Sequence, residues 1–175
     1  MNTAWKRNRL ALTAALTILG AAFTCAAGWK EGDQVPSLAK YGVGAAVTSN
    51  LAGRVTLVDF WASWCSPCQA SFPALAKLEQ TFGPRGFAVI AVSVDETETA
   101  MKQFLADHSV PFLVIWDRTH KIVADANVDS MPSSFLIDRA GRIRYVHVGF
   151  HGEATAKKYA EEIETLLGRK DNAAP

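Results

Sequence analysis

Only three cysteines occur among 175 residues, too few to staple a small domain together by disulfides. There is no second Cys pair, so a four-ligand structural zinc site lacks its usual donor set. His147 and His151 are four apart, but they straddle Gly149 instead of sharing a helix face. No bound metal and no cofactor is therefore expected. Charge of one sign is missing too. Eighteen basic against 17 acidic residues leave a formal +1, which removes the electrostatic case for nucleic acid. No internal repeat is present. What is there is ordinary: 49% hydrophobic and 20% charged residues, a composition that argues against disorder, in a length suited to one domain plus a short appendage.

The appendage is N-terminal. Lys6, Arg7 and Arg9 form a basic start, residues 10–23 are an apolar run, and Thr24, Cys25, Ala26 and Ala27 are small. This is the pattern of a secretory signal cleaved near Ala26 or Ala27. The rival reading is an uncleaved anchor, since residues 10–29 carry no charge and are about as long as a bilayer span. Cys25 raises a third, lipid attachment, which Ala22 and Thr24 suit poorly. Residues 1–27 are thus read as a signal peptide or membrane anchor and 28–175 as the folded domain. Cleavage removes three basic and no acidic residues, leaving 15 basic and 17 acidic groups, a net of −2. Either way the basic flank stays cytoplasmic and the domain is exported, to the periplasm or an equivalent compartment.

Within the domain, residues 29–50 are rich in turn formers and read as an irregular lead-in, with one short edge strand near 45–48. Residues 55–61 and 87–94 are continuous apolar runs, as buried central strands require. Between them Phe72, Leu75, Leu78 and Phe82 recur at helical spacing, with Lys77, Glu79 and Gln80 opposite. Pro67 suits the first turn of that helix, whereas Pro73 should kink it. Strand, helix, strand over about 40 residues is a right-handed βαβ unit. Asp95 to Glu98 reads as a capping box for a helix bearing Ala100, Met101, Phe104 and Leu105. Residues 111–116 form a short strand, and 117–127 hold a turn of helix. Residues 133–138 and 142–148 form a hairpin turning at Gly141. A last amphipathic helix, 153–167, has Ala156, Tyr159, Ala160, Ile163, Leu166 and Leu167 on its apolar side. Lys157, Lys158, Glu161, Glu162 and Glu164 lie opposite, with Gly168 as its cap.

The chemistry concentrates at Trp64-Cys65-Ser66-Pro67-Cys68. If Cys65 opens the helix, its sulfur lies near unsatisfied backbone N–H groups and the positive end of the helix dipole, which favour the thiolate. Cys68, three residues on, falls on nearly the same face and can close a disulfide with Cys65. A dithiol in an oxidising compartment needs a partner to keep it reduced.

The run Val58-Asp59-Phe60-Trp61-Ala62-Ser63-Trp64-Cys65-Ser66-Pro67-Cys68 resembles the thioredoxin active-site stretch position by position. With the added segment 95–127, the stretch from Met131-Pro132 to Ile143 and the export signal, the chain is similar to the exported TlpA/ResA-like thiol–disulfide oxidoreductases, which include cytochrome c maturation thioredoxins. The resemblance spans residues 32–167. It implies an α/β thioredoxin-like three-layer fold: a mixed central sheet flanked by helices, with an extra strand–helix insertion. It implies Cys65 as nucleophile, Cys68 as resolving cysteine and Asp59 as the acceptor of the Cys68 proton. It also implies a cis bond before Pro132 next to Cys65, with Met131 and Trp64 meeting substrate and Ser66 and Pro67 tuning the potential. Trp61 is read as core, and His108 and His120 as surface residues. Partners would be disulfide-bearing envelope proteins and a membrane thiol shuttle as electron donor. No histidine lies between the cysteines to stabilise Cys65 further, which fits a reductant. Two positions depart from that branch: Asp59 stands where it often has Asn, and Ser71 where it often has Glu. Two other readings stand beside this one. A thiol peroxidase would want Pro and Thr where Val58 and Ala62 occur. A copper chaperone would use Cys65 and Cys68 as soft ligands for Cu(I).

Overall fold

The computed structural model of the protein describes residues 28–44 and 52–168. The segment 1–27, the edge strand expected near 45–48 and the C-terminal tail lie outside the described residues. Strands β1 (Val55–Trp61) and β2 (Phe87–Ser93) are buried at every position and pair in parallel, Val55 opposite Phe87 through Trp61 opposite Ser93. Both faces of these strands are covered, which is why their sequences read as unbroken apolar runs. Helix α1 (Ser66–Phe82) joins them, with Pro67 in its first turn. Pro73 lies inside α1, and the helix runs on through it to Phe82. A short 3₁₀ turn and Gly86 at φ 94° then lead into β2, a conformation that glycine adopts without steric cost.

The segment 95–127 carries α2 (Glu98–Asp107), β3 (Leu113–Trp116) and the six-residue α3 (Lys121–Ala126). Strand β3 adds in parallel to the edge of β2. The capping box expected at Asp95 does not form. Thr97 is the N-cap of α2, its hydroxyl accepting from the Ala100 N–H, because the Asp95 carboxyl is engaged elsewhere. Strands β4 (Ser133–Ile137) and β5 (Ile143–Val148) form the antiparallel hairpin, with Gly141 at φ 79° in the turn. The sheet order is β3-β2-β1-β4-β5, parallel on one side of β1 and antiparallel on the other. Helix α4 (Glu153–Gly168) closes the chain and still includes Gly168, expected just beyond it.

Alternation along β1 sends Leu57, Asp59 and Trp61 to one face and Val58 and Phe60 to the other. On the first face Leu57 and Trp61 pack with Cys68, Phe72 and Leu75 of α1, Met101 of α2, and Tyr159, Ile163 and Leu166 of α4. Trp61 lies 4.6 Å from Phe72 and 5.1 Å from Phe104, centroid to centroid. On the second face Trp29, Phe60 and Phe135 meet edge to face, covered by Ile122 and Ala126 of α3 and Leu38 of the lead-in. Each such side chain contributes about 1.5–3 kcal/mol on burial, so the layers on both faces hold β1, and with it the start of α1, in place. One helix position departs from the amphipathic reading. Glu162 is buried, not solvated, because His147 Nε2 on β5 meets its Oε2 at 2.7 Å.

Candidate active site

Helix α1 begins at the carboxyl ends of β1 and β2, where open α/β sheets gather ligands. Cys65 is its N-cap, with extended backbone (φ −91°, ψ 97°), and its sulfur accepts the Cys68 N–H at 3.3 Å. Cys65 and Cys68 are joined by a disulfide with Cα atoms 5.3 Å apart. Cys68 is fully buried and Cys65 is 7% exposed. An incoming group therefore meets Cys65 first, while Cys68 faces the core. Ser66 and Pro67, between them, are exposed.

Trp64, just before the disulfide, is 66% exposed, whereas Trp61 is completely buried. The Met131–Pro132 bond is cis. Met131 is half-buried against the core cluster that contains both cysteines. Among the described residues, no partner is found for the Met131 backbone N–H or C=O, while the Pro132 carbonyl accepts from Gly149 N–H at 2.7 Å. Trp64 and Met131 line one open groove of about 300 Å³ with Glu96, His120, Val123 and Asp129. His120 is thus half-buried at this groove instead of lying free on the surface. His108 is exposed, with its ring stacked on Phe104.

Asp59 is 1% exposed. Its Oδ1 accepts from Ser134 Oγ at 2.6 Å, and its buried Oδ2 has no hydrogen-bond partner among the described residues. Burial pushes its carboxyl from 3.8 up to about 7, against the downward pull of the Ser134 hydrogen bond. A carboxyl held there is half ionised near neutrality and can take or release a proton at small cost. Ser71, where the resembled branch often has a carboxylate, is buried and donates to the Cys68 carbonyl at 2.7 Å.

Asp95, expected as part of a helix cap, belongs to the site instead. Asp95 accepts from the Ser63 hydroxyl at 2.7 Å, from the Ser63 N–H at 3.1 Å and from the Ser93 hydroxyl at 2.8 Å. Trp116 Nε1–H donates to its backbone carbonyl at 2.7 Å. Asp95 is 1% exposed and ties the end of β2 to the loop that delivers Trp64 and Cys65. The usable signal was its place just after a buried parallel strand, at the edge where the cysteine loop must also lie.

The family model for Redoxin matches residues 30–163, which spans the disulfide, Asp59 and the cis-proline. The chain belongs to the Redoxin family. Within it, the chain is thioredoxin-like and of the TlpA/ResA kind. It is 32% identical to a thiol-disulfide oxidoreductase ResA of Bacillus cereus over 114 residues, 65% of this chain and 66% of that one. It is 32% identical to the thioredoxin-like protein YneN of Bacillus subtilis over 127 residues, 70% of this chain and 74% of that one. The match to the ResA protein thus spans just under two thirds of that relative's length. Among solved structures, one from Chlorobium tepidum assigned as thiol:disulfide interchange protein DsbE superposes with a TM-score of 0.72 at 33% identity, covering 81% of this chain and all of that one. The three-layer mixed-sheet Redoxin architecture is therefore the thioredoxin fold.

Proposed function

We propose that this protein is an exported thiol–disulfide oxidoreductase that reduces protein disulfides through Cys65 and Cys68. The observation that carries the reading is the disulfide at the N-terminus of α1, with Cys65 the more exposed sulfur, Cys68 enclosed, and Asp59 buried with no partner for Oδ2 among the described residues. The ResA and DsbE relatives, named as thiol–disulfide oxidoreductase and thiol:disulfide interchange protein, support it.

In the reduced protein the Cys65 thiolate attacks one sulfur of a substrate disulfide. A mixed disulfide forms, and the other substrate sulfur leaves as a thiolate. Cys68 gives its proton to Asp59 and attacks the Cys65 sulfur. The Cys65–Cys68 bond forms, and the second substrate sulfur leaves. Two electrons have passed to the substrate, and a membrane thiol shuttle returns the protein to its dithiol. The substrate strand pairs with the open backbone of Met131 and rests on Trp64. Export rests on the basic, apolar and small-residue pattern of residues 1–27. The likeness to the ResA relatives supports a place in cytochrome c maturation, with apocytochrome c one candidate substrate beside a copper-site protein or a general envelope thiol.

The test is a trap. Cys68→Ser stops the reaction at the mixed disulfide, so envelope proteins should be recovered covalently on Cys65 and released by reductant. A variant that captures no envelope protein, beside a wild type unable to reduce insulin, would remove the proposal.

A further inference from the structure

Asp59 does not stand alone in its layer. In strand register it lies opposite Ser134 on β4, and Ser134 lies opposite His147 on β5. Helix α4 lays Tyr159 and Glu162 over this row. The Ser134 oxygen is 2.6 Å from Asp59 Oδ1 and 2.8 Å from the Tyr159 hydroxyl oxygen. A serine hydroxyl has one proton. Because it is given to the carboxyl, the Tyr159 hydroxyl must be the donor to Ser134. The chain is thus directional, from Tyr159 through Ser134 to Asp59 Oδ1. Ser134 and Tyr159 are each only 1% exposed.

We propose that Ser134 and Tyr159 are positioning residues for the resolving step, holding the Asp59 carboxyl by Oδ1 so that Oδ2 is the atom that takes the Cys68 proton. The inference rests on the proton-acceptor role given to Asp59 above. Protonation at Oδ2 leaves the Tyr159–Ser134–Oδ1 chain unbroken, so no hydroxyl has to turn when the proton arrives. Burial holds the Tyr159 phenol well above its ordinary range, and Asp59 and Glu162 push it the same way. It therefore remains a donor throughout the working pH range. The titratable groups on the Asp59 side of the sheet and on the helices laid over it include Cys68 on α1, Tyr145 and His147 on β5, and Tyr159 and Glu162 on α4. His147 and Glu162 are occupied with each other at 2.7 Å, and the His147 ring stands edge-on to Tyr159 at 4.9 Å. Their pairing fixes the position of Tyr159 from the side away from Asp59.

The experiment follows the reduced protein with Ellman's reagent by stopped flow across pH. The first thionitrobenzoate is released when Cys65 attacks, the second when Cys68 resolves. In the wild type the second phase should have its midpoint near 7, set by Asp59. Ser134→Ala removes the hydrogen bond that Ser134 gives the carboxyl, so that midpoint should rise by about one to two pH units, with second-phase rates on its acid side falling at least about tenfold. The first phase should keep its pH dependence. Tyr159→Phe should move the midpoint in the same direction by less, and Ser134→Thr, which keeps the hydroxyl, should restore it. Tyr159→Phe carries the test if Ser134→Ala does not fold. If Asp59→Asn abolishes the pH dependence of the second phase while Ser134→Ala and Tyr159→Phe leave the wild-type midpoint unmoved, the positioning role is overturned and Asp59 stands. If Asp59→Asn leaves the midpoint in place, the role of Asp59 falls, and the positioning role with it.

Discussion

Replacing Asp59 by Asn should stabilise the fold, and the gain should depend on pH in a defined direction. In the native protein burial lifts the Asp59 carboxyl from 3.8 to about 7, while in the unfolded chain it titrates near 3.9. Between those values the native state holds a proton that the unfolded state has released. Wild-type stability therefore falls as pH rises through this window. The contribution is fully present below about pH 4 and lost above about pH 7. Each pH unit of that gap is worth about 1.36 kcal/mol, so the full loss is about 4 kcal/mol. An asparagine at this position is neutral at every pH and carries no such cost, although its amide needs partners that the site provides only in part, which trims the gain. Urea unfolding of the oxidised protein at several pH values measures this directly. The stability of Asp59→Asn minus that of wild type should be near zero at pH 4, climb through pH 5–6 and level off above pH 7 at a few kcal/mol. A difference that is constant with pH, or one that shrinks as pH rises, would refute the account of Asp59 as a carboxyl strained by burial.

Further expectations concern the supports of the cysteine loop and its exposed face. Asp95→Ala strands the Ser63 N–H and the Ser63 and Ser93 hydroxyls; at about 1–3 kcal/mol for each unsatisfied buried group, chemical denaturation should show a loss of about 3–5 kcal/mol and a slower first phase with Ellman's reagent. Trp64→Ala should leave stability within about 0.5 kcal/mol, since the ring is 66% exposed, yet raise the KM for a protein disulfide several-fold while leaving the reaction with a small aromatic disulfide nearly unchanged.

Much of this fold was open to reading because its strongest signals are local. Residues 55–61 and 87–93 are apolar almost without interruption, and a strand covered on both faces has no other way to be written. Cys65, Pro67 and the stripe Phe72, Leu75, Leu78 and Phe82 mark the start and the buried side of α1 within a single window. Gly141 marks the β4–β5 turn by itself. The polar residues of the interior behave differently. Asp95 stands three positions before Glu98, and nearby pattern favours a helix cap; its actual partner, Ser63, is 32 residues away. Glu162 sits in a run of charges on α4 and reads as solvated until β5 brings His147 beneath it.

Ser134 shows most clearly where reading along the chain stops. Alternation along β1 already puts Asp59 between Leu57 and Trp61 on a buried face, so a carboxyl inside the protein was legible. A buried carboxyl requires a donor, but periodicity specifies only a face and never which residue arrives opposite. That depends on β4 pairing antiparallel to β1 in one register, Asp59 against Ser134. A slip of one residue would turn Ser134 to the other face and place Phe135 or Ser133 beside the carboxyl's strand position. The hairpin turn around Gly141 fixes where β4 ends and how it meets β5. That register brings His147 opposite Ser134, whereas the hydroxyl that reaches Asp59 is set by how β4 lies on β1, two strands with no turn between them.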